Sequence, residues 1–137
     1  MFSSLDISKS GLIAQRVRMD VIAGNIAMSE VTEDEQGRAI PYRRRFVVFQ
    51  EGGAENSQMG VKVAKIQKDM SEFKLKYDPG HKDAIKKGPY KGYVRYPNID
   101  LALEQVDAIE AVRAYEANLA SYDLSKSMIT SALRILG

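Results

Sequence analysis

The 137-residue sequence contains no cysteine and a single histidine, His81. Without thiols there are no disulfides, thiolate metal sites or cysteine nucleophiles. His81 sits in the turn Asp78-Pro-Gly-His, with no nucleophile or orienting carboxylate in a pattern that general-base chemistry requires. One histidine among scattered carboxylates also gives no metal-ligand spacing. Neither Gly52-Gly53 nor Gly88 opens a helix as a phosphate-cradling loop does. The sequence therefore offers no catalytic, cofactor-binding or metal-binding residues. No run approaches the roughly 20 apolar residues that span a bilayer, so membrane insertion is not expected. The opening Met1–Ile7 lacks the basic and apolar regions of a cleaved secretory signal, so Sec export is not expected either.

What is present is a globular composition, 45% apolar, with an uneven distribution of charge. Residues 42–96 hold thirteen bases against six acids, whereas 1–41 and 97–137 are net acidic. Such asymmetry predicts separate structural units. Three are expected: a helix over 1–30, a basic β-rich middle over 31–96 with flexible loops, and a long helix over 97–137.

Leu5, Leu12, Met19 and Ile26 recur every seven residues with Ile22 beside them, and Ile7, Ala14, Val21 and Met28 form a second series joined by Val17. Two residues of offset on a helix is about 200°, so the stripes lie on nearly opposite faces and predict contact on both sides. In the last segment Leu101, Ala108, Tyr115, Tyr122, Ile129 and Leu136 form one heptad series. Val112, Leu119 and Leu133 read as its partner row, with Gln105 and Lys126 as polar exceptions, giving coiled-coil patterning over a helix about 50 Å long. Asn98 reads as the N-cap, with Asp100 and Glu104 suited to the helix dipole. Leu103, Ile109, Ala117 and Leu124 add more apolar surface than one partner helix covers, which marks a protein interface. Tyr115 and Tyr122 suit such an interface, being large with a polar tip.

The middle changes period. Tyr42–Phe49, Val61–Ile66, Phe73–Tyr77 and Gly92–Tyr96 read as strands, separated by Glu51-Gly-Gly and Asp78-Pro-Gly-His turns. The polar stretch Ser29–Gly37 reads as a flexible connector. Together these elements predict an α+β fold in which the terminal helices pair antiparallel beside a small β-rich domain. Arg43-Arg44-Arg45 raises a nucleic-acid reading, yet no recognition helix or stacking platform accompanies it. Within a strand Arg43 and Arg45 share a face, from which they reach carboxylates outside the subunit.

Particular stretches then agree with a known family. Ser10–Ala27, ending Gly24-Asn-Ile-Ala, is similar to the N-terminal signature of bacterial flagellar rod and hook subunits. Tyr42–Phe49, Tyr77–Ala84, Gly92–Asn98 and Glu110–Asn118 resemble the proximal-rod subfamily FlgC, in the expected order along the chain. Met28-Ser-Glu departs from the Asn that usually follows Asn-Ile-Ala. The resemblance implies a structural subunit, not an enzyme. It would polymerise through its terminal helices into the axial drive shaft, which surrounds the export channel and transmits torque across the periplasm. Implied partners are further copies, other proximal and distal rod proteins, the rod-base adaptor, the inner-membrane ring and the flagellar type III export apparatus, but no nucleic acid. Export without a cleaved signal is also implied. Expected subunit contacts are Leu5, Leu12, Met19, Val21 and Ile26 on the first helix, with Val112, Tyr115, Leu119, Tyr122, Ile129, Leu133 and Leu136 on the last. Asn25, Arg113, Glu116 and Asn118 join them within the matching stretches, and Arg43 and Arg45 are expected at the outer surface. The competing readings are a soluble coiled-coil adaptor, another rod or hook subunit, and a basic wall- or nucleic-acid-binding module.

Overall fold

A computed structural model describes residues 2–53 and 58–137. A helix, α1 (Phe2–Ala27), leads into strands β1 (Arg45–Glu51), β2 (Val61–Lys68), β3 (Lys74–Tyr77) and β4 (Tyr93–Tyr96), and α2 (Leu101–Leu136) closes the chain. The two helices run antiparallel. Asn25 meets Glu104 at 3.2 Å, Arg18 meets Glu110 at 3.6 Å, and Gly11 lies against Asn118. A Cβ at Gly11 would come within 2.8 Å of the Asn118 amide, so the close approach depends on the missing side chain. Extending this pairing puts Phe2 opposite about residue 127, and the last turns of α2 run past the start of α1. Among the described residues, no helix is long and apolar enough to cross a membrane.

The expected α+β architecture is present, with one correction to the register of α2. Ala108, Tyr115, Tyr122 and Ile129 do lie on the covered side. Their partner row is Glu104, Ala111, Asn118, Ser125 and Ala132, of which Glu104 and Ala111 are buried. Val112, Leu119 and Leu133, assigned to that row by apolarity, are 42%, 41% and 63% exposed. A close helix contact selects small side chains and a paired polar one, and the larger apolar row is turned aside.

The cap of α2 is also different from the expectation. Asp100, not Asn98, caps the helix, accepting from the N–H groups of Ala102 and Leu103 at 3.0 and 3.4 Å. Asn98 holds the strands instead: its amide donates to Asp69 O and Ser71 Oγ, and its oxygen accepts from Arg44 N–H. Pro97 and Ile99 are buried around it with Val94, forming a small core where β4 turns into α2.

The middle contains two antiparallel pairs, β1 with β2 and β3 with β4. Val48 faces Lys65 and Phe49 faces Val63, so Ala64 is the extra residue of a bulge. The β1–β2 hairpin rests on α1. Val61 N–H donates to Ser10 Oγ at 3.1 Å, and Val47 and Phe49 share a cleft with Val21 and Ile22. Thus α1 is covered by α2 along the line of Gly11, Arg18 and Asn25 and by the hairpin along another, while Ile7 and Met28 of its second stripe stay exposed.

The stretch read as a flexible connector is anchored. Tyr42 N–H donates to Val31 O at 3.1 Å, Thr32 Oγ1 donates to Asp83 at 2.8 Å, and Lys82 pairs with Glu33 at 2.7 Å. Asp34 accepts from Arg38 and from the backbone N–H groups of Gln36 and Arg38. These bonds engage Glu33 and Asp34 and tie the segment to the 78–92 loop, so a polar composition does not leave it loose.

Candidate assembly interface

Two features organise the surface of the helical pair: a polar joint at one end, and unpartnered apolar side chains along α2.

The joint centres on Arg44, placed where the connector enters β1. Its guanidinium bonds the Glu104 carboxylate and reaches Asp107 at 3.4 Å and Asp69 at 3.6 Å. Glu104 is 1% exposed and also accepts from Asn25 Nδ2. Asn25 is fully buried and makes a reciprocal pair with the Arg45 backbone, donating to its carbonyl at 2.8 Å and accepting from its N–H at 3.0 Å. The end of α1, the start of β1, the 69–71 turn and the first turns of α2 are therefore bolted together by charge-assisted hydrogen bonds. Burial opposes the charge on Arg44, but the bond to Glu104 and the nearby Asp69 and Asp107 outweigh it and raise its pKa. The backbone N–H and hydroxyl of Ser71 hold the Asp69 carboxyl below its usual range, with Arg44 and Arg43 adding to the effect.

No local sequence pattern marks Arg44, Glu104, Asp69, Asp107 and Asn98 as members of one joint. Its signal was faint: Glu104 belongs to the seven-residue series through Ala111, Asn118, Ser125 and Ala132, visible only once small residues are allowed in a seam. The arginine cluster divides its work. Arg43 stacks over Phe73 at 4.2 Å and donates to the carbonyls of Asp69 and Ser71, so it holds its own subunit. Arg45 is exposed, 5.4 Å from the Tyr42 ring, and lies directly across the ladder from Lys68.

The expected contact residues separate into two groups. Asn25 is buried, and Leu5, Leu12, Met19, Val21, Ile26, Tyr115, Asn118, Tyr122 and Ile129 are half-buried within the subunit. Val112, Arg113, Glu116, Leu119, Leu133 and Leu136 are exposed. Leu103, Val106 and Leu124, on the far side of α2 from α1, are 60–63% exposed, and Met128 and Ile135, at or past the start of α1, are 62% and 85% exposed. Leu133 and Leu136 lie past the start of α1, and Leu136 is 86% exposed. So many exposed side chains of this size on one helix are the mark of a protein interface. Among the described residues, no cluster of three or more metal-ligating side chains occurs. His81 Nδ1 accepts from Asp83 N–H and serves the loop that contains it.

Comparison with known proteins bears on what such a surface serves. Residues 90–135 match the family described as flagellar basal body rod FlgEFG protein C-terminal. A flagellar basal-body rod protein FlgC from Borreliella burgdorferi is 45% identical, with 99% of this chain and 97% of the relative covered. The chain belongs to the FlgC family. A second member, from Bacillus subtilis, is 43% identical over 98% of this chain and 97% of its own length. The FlgC of Escherichia coli is 36% identical over the same shares. The similarity takes in both helices, the joint and the β-rich middle, so it concerns the whole architecture. All of these relatives are named as rod proteins of the basal body.

Proposed function

We propose that this chain is a structural subunit of the flagellar proximal rod, located in the basal body, and that it polymerises through its terminal helices. The observation that carries the reading is the unpartnered apolar surface of α2, where Leu103, Val106, Leu124 and Ile135 stand 60–85% exposed in a FlgC-family chain. Leaving these side chains in water forgoes roughly 1–2 kcal/mol apiece, which neighbouring subunits would recover by covering them. The joint around Arg44 supports a mechanical role, because it ties the β-rich unit to both helices and gives a twisting load a stiff path between them. Membership of the family favours rod proteins as neighbours, with the rod-base adaptor and inner-membrane ring at the foot of the shaft. It also favours passage through the flagellar export apparatus without signal cleavage, and a final position in the rod where it crosses the periplasm.

The test is deletion of the gene with complementation by a tagged copy. Loss of motility and of rods, restoration by the tagged chain, and its recovery in purified basal bodies are expected. Normal flagella in the deletion strain would overturn the reading. Helicity that rises with concentration and stops at a dimer, without incorporation into basal bodies, would point to an adaptor.

A further inference from the structure

Residues 78–92 join β3 to β4 through a connection that is long for a hairpin and has no helix or strand of its own. It is nevertheless closed by backbone bonds, from Asp78 N–H to Gly92 O, Gly92 N–H to Ile85 O, and Ile85 N–H to Tyr93 O, each at 2.9 Å. Ordered connections of this length usually serve a function. At the rim, Tyr77 and Tyr90 are 64% and 53% exposed, and both meet Tyr93 edge-on at 5.2 and 6.5 Å. Gly92 adopts φ +87°, and a side chain there would fall 2.8 Å from the Tyr77 ring, so the backbone makes room for this arrangement. Lys86 and Lys91 line a cleft with Tyr77, and Lys87 is exposed beside them. Among the described residues, none of these three lysines takes part in an ion pair.

A matching surface exists on the same chain. The connector 28–40 carries four acids against one base. Glu33 and Asp34 are engaged by Lys82 and Arg38, but Glu30 and Glu35 are exposed without such partners among the described residues, and Met28 and Ile40 are 37% and 48% exposed. Within one subunit the connector already meets one side of the 78–92 loop, through Lys82–Glu33 and Thr32–Asp83. The Lys86–Lys91 side has no ion-pair partner among the described residues.

We propose that the acidic connector of one copy docks on the lysine–tyrosine platform of the next, with Glu30 and Glu35 facing Lys86, Lys87 and Lys91, and with Met28 and Ile40 against Tyr77 and Tyr90. This inference rests on the rod reading and gives it a lateral contact. The two patches are complementary to each other and neither is complementary to itself. The association is therefore heterologous and propagates from copy to copy, where a self-complementary patch would close into a pair. The charges set register and partner choice, and the tyrosines supply the buried area.

The absence of cysteine makes the test direct. A chain carrying Glu35→Cys and Lys87→Cys replaces the native copy, and basal bodies are oxidised before electrophoresis without reductant. A ladder of covalent multimers is expected from the double variant and none from either single variant. Lys86→Glu with Lys87→Glu is expected to lower multimer yield about tenfold at low salt, and Glu30→Lys with Glu35→Lys in the same chain to restore it. If the cysteine pair itself prevents incorporation, the charge-reversal series decides through incorporation and motility. Normal incorporation with no multimers, or a disulfide running at monomer mass, overturns the docking while leaving the rod reading intact. A defect of the lysine reversals that the glutamate reversals fail to repair assigns the platform to another anionic partner and overturns the proposal. Absence of the unsubstituted chain from basal bodies is the separate result that defeats the rod reading.

Discussion

Leu124→Asp separates the stability of the subunit from its assembly. Leu124 is 63% exposed on the far side of α2, so 37% of it is covered within the subunit. Full burial of a leucine is worth about 1.5–3 kcal/mol, which makes its contribution to the free subunit about 0.6–1.1 kcal/mol. Aspartate's lower helix propensity adds about half a kcal/mol. The variant should therefore fold, with a melting temperature lower by roughly 5 °C. In a rod the same position would forgo the remaining apolar contact, about 0.9–1.9 kcal/mol, and would place an uncompensated carboxylate in an interface at a cost of several kcal/mol. Ala111→Asp is the converse control, because Ala111 is fully buried within the subunit and an aspartate there should unfold the helical pair. The assays are thermal melting of the purified chains and their abundance in isolated basal bodies. Near-normal melting with incorporation abolished is the expected result for Leu124→Asp. Normal incorporation and swimming would refute the claim that this face is covered in the rod.

Three further outcomes follow from the joint and the hairpin. Glu104→Ala removes the buried partner of Arg44 and should cost about 3 kcal/mol, a drop of about 10 °C, measured by calorimetry. Hydrogen exchange should localise that loss to Ile22–Asn25 and the first turns of α2. The depressed pKa of Asp69 contributes stability that is present above its ordinary value of 3.8 and is lost as pH falls through the folded-state pKa. Asp69→Asn should accordingly flatten the decline in stability below about pH 4 in acid titrations followed by circular dichroism. Arg45→Gln removes a like-charge pair with Lys68 directly across the ladder, and should leave stability unchanged or raise it by up to about 1 kcal/mol in denaturant melts.

The elements were legible because their periods were clean. The seven-residue spacing of Ala108, Tyr115, Tyr122 and Ile129 points to one backbone conformation and one covered side, whereas the alternation in Val61–Ile66 gives the strand but not the bulge at Ala64, beyond which Ile66 is 51% exposed. The register of the second row on α2 was not legible from apolarity. Val112, Leu119 and Leu133 are the obvious apolar choices, whereas the row that meets α1 is small or polar because Gly11 brings the helices close at Asn118. Glu104 is tolerated there through Arg44, which lies 60 residues away in sequence. No local pattern announces that pairing. The capping role passed from Asn98 to Asp100 for the same reason: the Asn98 side chain is held by Arg44, Asp69 and Ser71, which a window around the helix start does not contain. Excess apolar surface on α2 was legible, since it needed only the count of large side chains outside one seam.

The central claim is that the far side of α2 is covered by neighbouring subunits in the rod. Single cysteines introduced at Leu103, Val106 and Leu124, in a chain with no cysteine of its own, report this by reaction with a maleimide. The thiols should label rapidly in the purified subunit and be protected in isolated basal bodies, while a cysteine at exposed Gln67 labels in the subunit as a positive control. Equal labelling of all three positions in the free and assembled protein would contradict the account.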